Sequence, residues 1–131
     1  EEPLKDLDDR CDRHDCRAWN QRVLRTEVKK WPQVLIIHLK RWHIVSLEPF
    51  VQEKVDRPVD YERVLSGAGM PLYHLRGIVV HGGEAGSGHY TSVVRAPDNV
   101  WYECDDWRPP RRIPVEEALC QQGAMVFFYE R

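Results

Sequence analysis

The sequence lacks the features that mark several large functional classes. Its 131 residues include four cysteines, Cys11, Cys16, Cys104 and Cys120, which are too sparse for a disulfide scaffold. No apolar run approaches the roughly 18 to 20 residues that a membrane-spanning helix needs. The formal net charge of -2 shows no excess of basic residues for nucleic acid. We therefore expect neither a membrane nor a nucleic-acid partner, and the sparse thiols suit a reducing location, in the cytoplasm or the nucleus.

What the sequence does contain is a series of β-strand signals. Short runs rich in Val, Ile, Tyr, Phe and Trp predict strands at 34–39, 73–81, 90–95, 100–104 and 124–129. Residues 1–31 are polar and show no clear period. Residues 48–69 predict a long irregular connection with one extended stretch at 51–55. The whole pattern indicates an α+β fold with an antiparallel sheet and long loops.

One short helix is predicted before the last strand. Pro114 occupies the expected first helical position, Glu116 and Glu117 fill the first turn, and Gly123 follows the end. Helices often have proline at the start, acidic residues in the first turn and glycine just past the end.

A glycine-rich loop contains the first candidate catalytic residue. Residues 81–90 contain four glycines, and the loop ends on His89, which opens a predicted strand. Glycines let a loop move and let another backbone approach closely. The simpler alternative is a flexible hairpin connection with a solvent-exposed histidine.

The next predicted hairpin brings carboxylates toward His89. A four-residue turn at 96–99 puts His89 opposite Asp106, whereas a five-residue turn starting at Arg95, or a bulge, puts it opposite Asp105. The sequence alone leaves both registers open. A carboxylate within reach of an imidazole is the base and orienting half of a nucleophilic site, although a surface His–Asp pair of little consequence is the competing interpretation.

Several short sequence motifs occur in the same order as the motifs of one protein family. The sequence letters that carry the resemblance are WPQVLIIHLKRW at 31–42, YHL at 73–75, HGG at 81–83, GHY at 88–90, Trp101, DD at 105–106 and FFY at 127–129. Together they resemble, in order, the closing motifs of the ubiquitin-specific proteases, which are thiol-dependent deubiquitinases. The resemblance runs from about Cys11 to Arg131.

The resemblance implies roles for particular residues. It implies that His89 is the general base and acid, that Asp105 orients it, and that Asp106 is a supporting acid. It also implies that Gly88 and Tyr90 line the channel for the ubiquitin tail. No cofactor is implied for catalysis.

The resemblance also implies an architecture. Residues 32–131 would form the palm half of a papain-like cysteine protease fold, and residues 1–31 the end of the fingers region. The helical thumb, with the catalytic cysteine box, would lie upstream, so we expect this chain to be inactive alone. Neither Cys104 nor Cys120 replaces that nucleophile well, and we expect both to act as small buried side chains.

A zinc half-site is suggested by Cys11 and Cys16. In the resembled family a similarly placed cysteine pair joins an earlier pair in a zinc-bearing region. The spacing of four residues here exceeds the usual two, and His14 adds at most a third ligand of the four that structural zinc requires. Zinc is therefore expected only in a full-length parent.

Two functions remain after the sequence is considered. The first is a deubiquitinase that hydrolyses the isopeptide bond after the C-terminal glycine of ubiquitin, with ubiquitin or ubiquitin-conjugated proteins as its partners. The second is a catalytically inactive pseudo-protease that binds ubiquitin or serves as a scaffold.

Overall fold

The computed structural model describes residues 26–131. The chain divides into two units, Glu1–Lys30 and Trp31–Arg131, and every strand and helix below belongs to the second. These elements are β1 (Val34–His38), β2 (Trp42–Leu47), β3 (Phe50–Lys54), β4 (Val64–Gly67), β5 (Met70–Gly83), β6 (Gly88–Arg95), β7 (Trp101–Cys104), β8 (Arg111–Ile113), α1 (Val115–Ala118) and β9 (Ala124–Glu130).

The described residues form one large sheet and one small sheet. The large sheet has seven strands with the order β1-β9-β5-β6-β7-β8, and β4 pairs with the first part of β5. The small sheet is the β2–β3 hairpin. Every strand pair in both sheets is antiparallel. The predicted α+β class with an antiparallel sheet and one short helix is therefore confirmed.

The hydrophobic core lies on one face of the large sheet. Most of its members come from the long central strand and nearby strands, and they include Tyr73, Leu75, Ile78, Val93, Trp101, Ile113, Phe127 and Tyr129. Burying each such side chain contributes about 1.5–3 kcal/mol. Two tyrosine hydroxyls remain satisfied at the edge of the core, because Tyr61 donates to the Ala118 carbonyl at 2.9 Å and Tyr129 donates to the Glu62 carbonyl at 2.8 Å.

The opposite face of the large sheet is partly open. Ile36, Phe128, Gly77 and Val94 form one cross-strand row on that face. Ile36 is 57% exposed and Val94 is 38% exposed. Apolar side chains thus face solvent across the middle of a sheet whose other face is packed.

Arg41 joins the start of the small sheet to the large one. Its side chain is buried, at 2% exposure, and donates to the backbone carbonyls of Ala124 at 2.7 Å, Val55 at 2.8 Å and Arg57 at 2.8 Å. The planar fork of an arginine suits several acceptors at once. A charge buried in this way is compensated by the carbonyls that surround it.

The sequence-based prediction of the elements was wrong in four places. The extended stretch predicted at 51–55 corresponds to β3, but β4, which also lies within 48–69, was not predicted, and neither were β2 and β8. Glu48 and Pro49 form the turn between the paired strands β2 and β3, so a proline that indicated a break instead belongs to a hairpin. Pro114 is the N-cap of α1 rather than its first helical residue. Among residues 26–131, no helix is both long enough and apolar enough to cross a bilayer.

Candidate active site

The glycine loop connects β5 to β6 and ends beside His89. Gly83 pairs with Gly88, and His89 pairs with Gly82. Gly83 has a φ of +93°, a conformation that side-chain-bearing residues rarely adopt. A Cβ on Gly88 would lie 2.5 Å from the Gly82 carbonyl oxygen. Both positions therefore require glycine, and together they fix where β6 begins.

The hairpin between β6 and β7 has a wider turn than the sequence suggested. Arg95 pairs with Trp101, and the Ala96 amide donates to the Val100 carbonyl at 2.9 Å. Asn99 adopts a φ of +66° inside this turn, which asparagine tolerates better than most residues. Both registers considered from the sequence are therefore wrong, one by a single residue and the other by two.

The true register makes Asp105 a diagonal neighbour of His89. The last pair of the β6–β7 ladder is Ser92 with Cys104, and Asp105 follows directly. Continuing that register by one step places Asp105 opposite Thr91, on the same face as His89 and two residues away. Diagonal neighbours on one face of a sheet are within reach of long side chains. The turn that follows includes Asp106 at a φ of +48°.

The two side chains meet at hydrogen-bonding distance. His89 Nε2 lies 2.5 Å from Asp105 Oδ1. The other carboxylate oxygen, Asp105 Oδ2, lies 2.9 Å from an Arg108 guanidinium nitrogen. Asp106 Oδ2 is 3.9 Å from His89 Nε2, too far for a hydrogen bond but close enough for an electrostatic effect. Of the two candidate acids, Asp105 makes the direct contact.

The contact between His89 and Asp105 shifts the pKa values of the two residues in opposite directions. The hydrogen bond to Asp105 raises the pKa of His89 above its ordinary value, and Arg108 opposes this rise. The same hydrogen bond lowers the pKa of the Asp105 carboxyl, and Arg108 lowers it further. Because the carboxylate accepts from Nε2, the neutral imidazole carries its proton on Nε2 and a lone pair on Nδ1. The ring can therefore accept a proton at Nδ1 and return it.

Gly88 and Tyr90 lie on either side of His89 in β6. Side chains alternate along a strand, so Tyr90 faces away from His89 and contacts His81 with ring centroids 4.6 Å apart. Tyr90 is 52% exposed. Gly88 packs so closely on the His81 ring that a Cβ would overlap it. The Trp42 ring meets the His81 ring edge-on, with centroids 5.0 Å apart. Trp42, His81 and Tyr90 thus form an aromatic cluster against which Gly88 packs.

The three acid–base residues could also be considered as metal ligands. The ligand atoms of His89, Asp105 and Asp106 lie within 4.8 Å of one another. However, the separation of 2.5 Å between His89 and Asp105 is that of a strong hydrogen bond between a donor and an acceptor. The geometry favours an acid–base pair over a metal centre.

Neither of the two cysteines in residues 26–131 forms part of this site. Cys104 pairs with Ser92, so its side chain lies on the face opposite to Asp105. Cys120 follows α1 and is exposed, which corrects the expectation that it is buried; Cys104 is half-buried. Cys11 and Cys16, the zinc half-site of the sequence analysis, lie outside the described residues.

Two site residues were not predicted from the sequence. Arg108 follows Asp105 by three residues in a turn in which its amide donates to the Asp105 carbonyl at 3.0 Å, and a basic residue at this spacing was an available signal. His81 is 4% exposed and supports Gly88 from below. It contacts Gly88 and Tyr90 across the β5–β6 hairpin, which the hairpin pairing could have indicated, whereas its contact with Trp42 joins distant parts of the sequence.

A comparison with protein-family models decides the relationship. The model of the ubiquitin carboxyl-terminal hydrolases matches residues 7–129. The chain belongs to the ubiquitin carboxyl-terminal hydrolase family. Ubiquitin carboxyl-terminal hydrolase 23 of Arabidopsis thaliana is 34% identical over 95% of this chain and 15% of that protein. Ubiquitin carboxyl-terminal hydrolase 15 of Homo sapiens is 28% identical over 89% of this chain and 12% of that protein.

Solved structures show the same relationship in three dimensions. A chain of the yeast SAGA DUB module matches with a TM-score of 0.66 and 28% identity, over 76% of this chain and 25% of that chain. A SAGA DUB module bound to monoubiquitin matches with a TM-score of 0.64 and 29% identity, over 76% of this chain and 23% of that chain. The chain thus spans about a quarter of these structures and 12–15% of the two relatives.

Proposed function

We propose that this chain supplies the histidine and aspartate of a thiol-dependent deubiquitinase, which hydrolyses the isopeptide bond after the C-terminal glycine of ubiquitin. The observation that carries the proposal is the contact of 2.5 Å between His89 Nε2 and Asp105 Oδ1 at the end of the glycine loop. Membership of the family supports it, as does the similarity to a DUB module bound to monoubiquitin.

His89 moves the proton in the proposed reaction. Its Nδ1 takes the proton of a cysteine thiol, and the thiolate attacks the isopeptide carbonyl. The same proton then passes to the departing lysine amine, which leaves a thioester. His89 next takes a proton from water, which attacks the thioester carbonyl. The C–S bond breaks, His89 returns its proton to the departing thiolate, and the ubiquitin carboxyl group loses its proton to solvent. Asp105 keeps the ring oriented and stabilises the imidazolium at each stage.

The nucleophile in this proposal comes from a segment outside the chain. Cys104 lies on the opposite face of the sheet from Asp105, and Cys120 lies beyond α1, so neither cysteine of the described part is proposed for the role. Gly88 and Tyr90 are proposed to border the path of the ubiquitin tail with their backbone, because they are the neighbours of His89 in β6.

A structural zinc is proposed only for the full-length parent. Cys11 and Cys16 have the right chemistry, since thiolates are preferred zinc ligands. With His14 they provide at most three of the four ligands needed, so this chain alone does not fit a closed site. Zinc analysis of the full-length protein, with Cys11→Ser and Cys16→Ser variants as the comparison, tests this. Equal zinc content in all three proteins would refute the proposal.

The decisive experiment is covalent labelling of the full-length protein with a ubiquitin that bears a C-terminal electrophile. We expect wild type to be labelled, and His89→Ala to react at least about 100-fold more slowly, as expected when a general base is lost. His43→Ala is the matched control, because the side chains of His43 and His89 are both 54% exposed and both lie near a carboxylate. The control should react at the wild-type rate.

Each of the other outcomes contradicts part of the proposal. A wild-type protein that binds ubiquitin but is not labelled would be the inactive pseudo-protease instead. Equal labelling of wild type and His89→Ala would remove His89 from the reaction. Labelling of the 131-residue chain alone would show that one of its own cysteines is the nucleophile.

A further inference from the structure

Lys54 is a lysine of intermediate exposure whose ammonium group lies at the root of the glycine loop. Its side chain is 6% exposed, although lysine is among the residues least often buried. The ammonium nitrogen lies 3.0 Å from the His81 carbonyl oxygen and 2.9 Å from the Gly83 carbonyl oxygen. It also lies 2.9 Å from Asp56 Oδ1. Three acceptors for three N–H donors leave the buried charge fully compensated.

The two carbonyls bound by Lys54 belong to the residues on either side of Gly82, the residue that pairs with His89. His81 and Gly83 flank Gly82 in β5, and Gly82 is the cross-strand partner of His89. On the same segment, the His81 amide donates to the Gly123 carbonyl at 2.9 Å. Lys54 therefore holds the outer side of the strand segment against which His89 is placed.

A second contact from the same hairpin supports this arrangement. Trp42 is the cross-strand partner of Lys54 in the β2–β3 pair, and its ring meets the His81 ring edge-on. Burial lowers the pKa of His81, and the Lys54 ammonium lowers it further. Asp56 opposes this fall, and the lowered pKa favours the neutral form of His81 beside the lysine.

The position of His89 needs such support because its own contacts are few. Its side chain is 54% exposed, and its hydrogen bond goes to a carboxylate in a turn. The loop before it contains Gly83, Gly86 and Gly88, and glycines restrict the backbone least. A group that fixes the root of this loop will determine how often the imidazole is in place for proton transfer.

We propose that Lys54 is a positioning residue for His89, which acts by holding the carbonyls of His81 and Gly83 and thereby the start of β6. The proposal rests on the proposed function of His89. Lys54 lies on a different sheet from His89, and its Nζ touches neither the imidazole nor Asp105. Its effect is therefore on the placement of the histidine, and the small displacements that follow its loss are costly to catalysis.

The test compares Lys54→Met with Lys40→Met in the full-length protein. Methionine keeps the approximate length of the side chain but removes the charge and all three donors, and Lys40 is an exposed lysine that serves as the control. Amide hydrogen exchange is followed by mass spectrometry in peptides from residues 82–89 and from β9. Lys54→Met should speed exchange about tenfold or more in 82–89 and leave β9 unchanged, and Lys40→Met should change neither.

Kinetics supply the second measurement. In Lys54→Met, kcat for cleavage of a ubiquitin conjugate should fall roughly 10- to 100-fold, with KM within about twofold of wild type. Lys54→Arg, which keeps the charge and several donors, should recover part of the loss. A purely stabilising role would instead lower the melting temperature without this division between kcat and KM. If Lys54→Met does not fold, hydrogen exchange and kinetics are measured on Lys54→Gln instead, which retains an amide donor.

Three outcomes would overturn the proposal. Unchanged exchange in 82–89 would show that Lys54 does not hold the loop. A uniform rise in exchange, including β9, would show a role in global stability alone. A local rise in exchange with normal kcat, in an active protein, would show that the loop root does not place His89. If wild type does not cleave ubiquitin, the proposed function fails, whereas the exchange result still decides whether Lys54 holds the loop.

Discussion

Asp105 engages two cationic groups with one carboxylate. Oδ1 contacts His89 at 2.5 Å and Oδ2 contacts Arg108 at 2.9 Å. Arg108 is 74% exposed, so water and salt screen its attraction more strongly than a buried partner's. Asp105 is only 25% exposed. The carboxylate is thus the main determinant of how His89 titrates, and Arg108 reduces its effect.

The pKa of His89 should respond in opposite directions to the loss of its two neighbours. In wild type we expect a pKa above the ordinary value of about 6.5. Asp105→Asn should lower it, because the hydrogen bond to a carboxylate is lost. Arg108→Ala should raise it, because an opposing positive charge is removed. Exchange of the imidazole C2 hydrogen against pH, read by mass spectrometry, measures each value. Arg112→Ala is the exposed control, and an unchanged pKa in Asp105→Asn would contradict this account.

The pair should also make stability depend on pH within a defined window. The folded-state pKa of His89 is raised, so its contribution is present below about pH 6.5 and is lost as the pH rises through the folded value. The folded-state pKa of Asp105 is lowered, so its contribution is present above about pH 4 and is lost as the pH falls through the folded value. The difference in unfolding free energy between wild type and Asp105→Asn should therefore be largest between about pH 4 and 6.5, in urea titrations of the intact protein. A difference that keeps growing above about pH 8 would contradict it.

At the scale of elements, the glycine loop is defined by where side chains cannot fit. Gly83 has a positive φ, and its Cβ would lie 2.7 Å from the Ser87 carbonyl oxygen. Gly88 has no space for a Cβ above the His81 ring, whereas Gly86 has no atom within 4 Å of the position of one. The loop therefore tolerates change at its tip and resists change at its root.

Gly88→Ala and Gly86→Ala should differ sharply. Gly88→Ala should cost about 1–3 kcal/mol, because the added methyl group forces the His81 ring or the Gly82 carbonyl to move. Gly86→Ala should stay within about 0.5 kcal/mol of wild type. Urea unfolding of the intact protein measures both, and labelling by the ubiquitin electrophile should slow only in Gly88→Ala. Equal stability of the two variants would argue against the packing described here.

Arg41 sets how the β2–β3 hairpin joins the large sheet. Its donors satisfy the carbonyls of Val55, Arg57 and Ala124. Arg41→Lys should destabilise the intact protein by about 1–3 kcal/mol, since an ammonium cannot reproduce the planar fork and leaves buried carbonyls unpaired. Thermal unfolding measures the effect, and the exposed Arg112→Lys should change it little. Similar melting temperatures for both variants would contradict this role.

At the scale of the whole molecule, the large sheet is packed on one face and half-open on the other. Val34 is 47% exposed, Ile36 is 57% exposed and Val94 is 38% exposed. The β2–β3 hairpin adds Leu47 at 73% and Phe50 at 63% exposure. Exposed apolar surface of this kind favours association.

The 131-residue chain by itself should therefore associate at micromolar concentrations. Light scattering coupled to size exclusion should show species larger than the monomer, and the paired substitution Ile36→Thr with Val94→Thr should reduce them. Threonine keeps the β-branched shape at both positions, so the strands themselves should be retained. A monomer that melts cooperatively would contradict this expectation.

The sequence by itself determined the strands with strong β patterns and the two groups that meet at the site. The predictions at 34–39, 73–81, 90–95, 100–104 and 124–129 each correspond to an observed strand, because side-chain alternation and β-branched content act locally. His89 and Asp105 were identified from the family motifs, and the structure brings them into contact. Their catalytic roles stay a prediction until the labelling experiment is done.

The tertiary structure alone decided the register and the supports. The pairing of Arg95 with Trp101 depends on a turn whose length no single residue fixes. The β2–β3 hairpin forms across Pro49, which local patterns indicate as a break. Lys54 reaches carbonyls 27 and 29 residues away, and Arg41 reaches one 83 residues away. Local patterns specify which way a side chain faces, but such contacts exist only after distant segments have packed together, which is why the sequence could not reveal them.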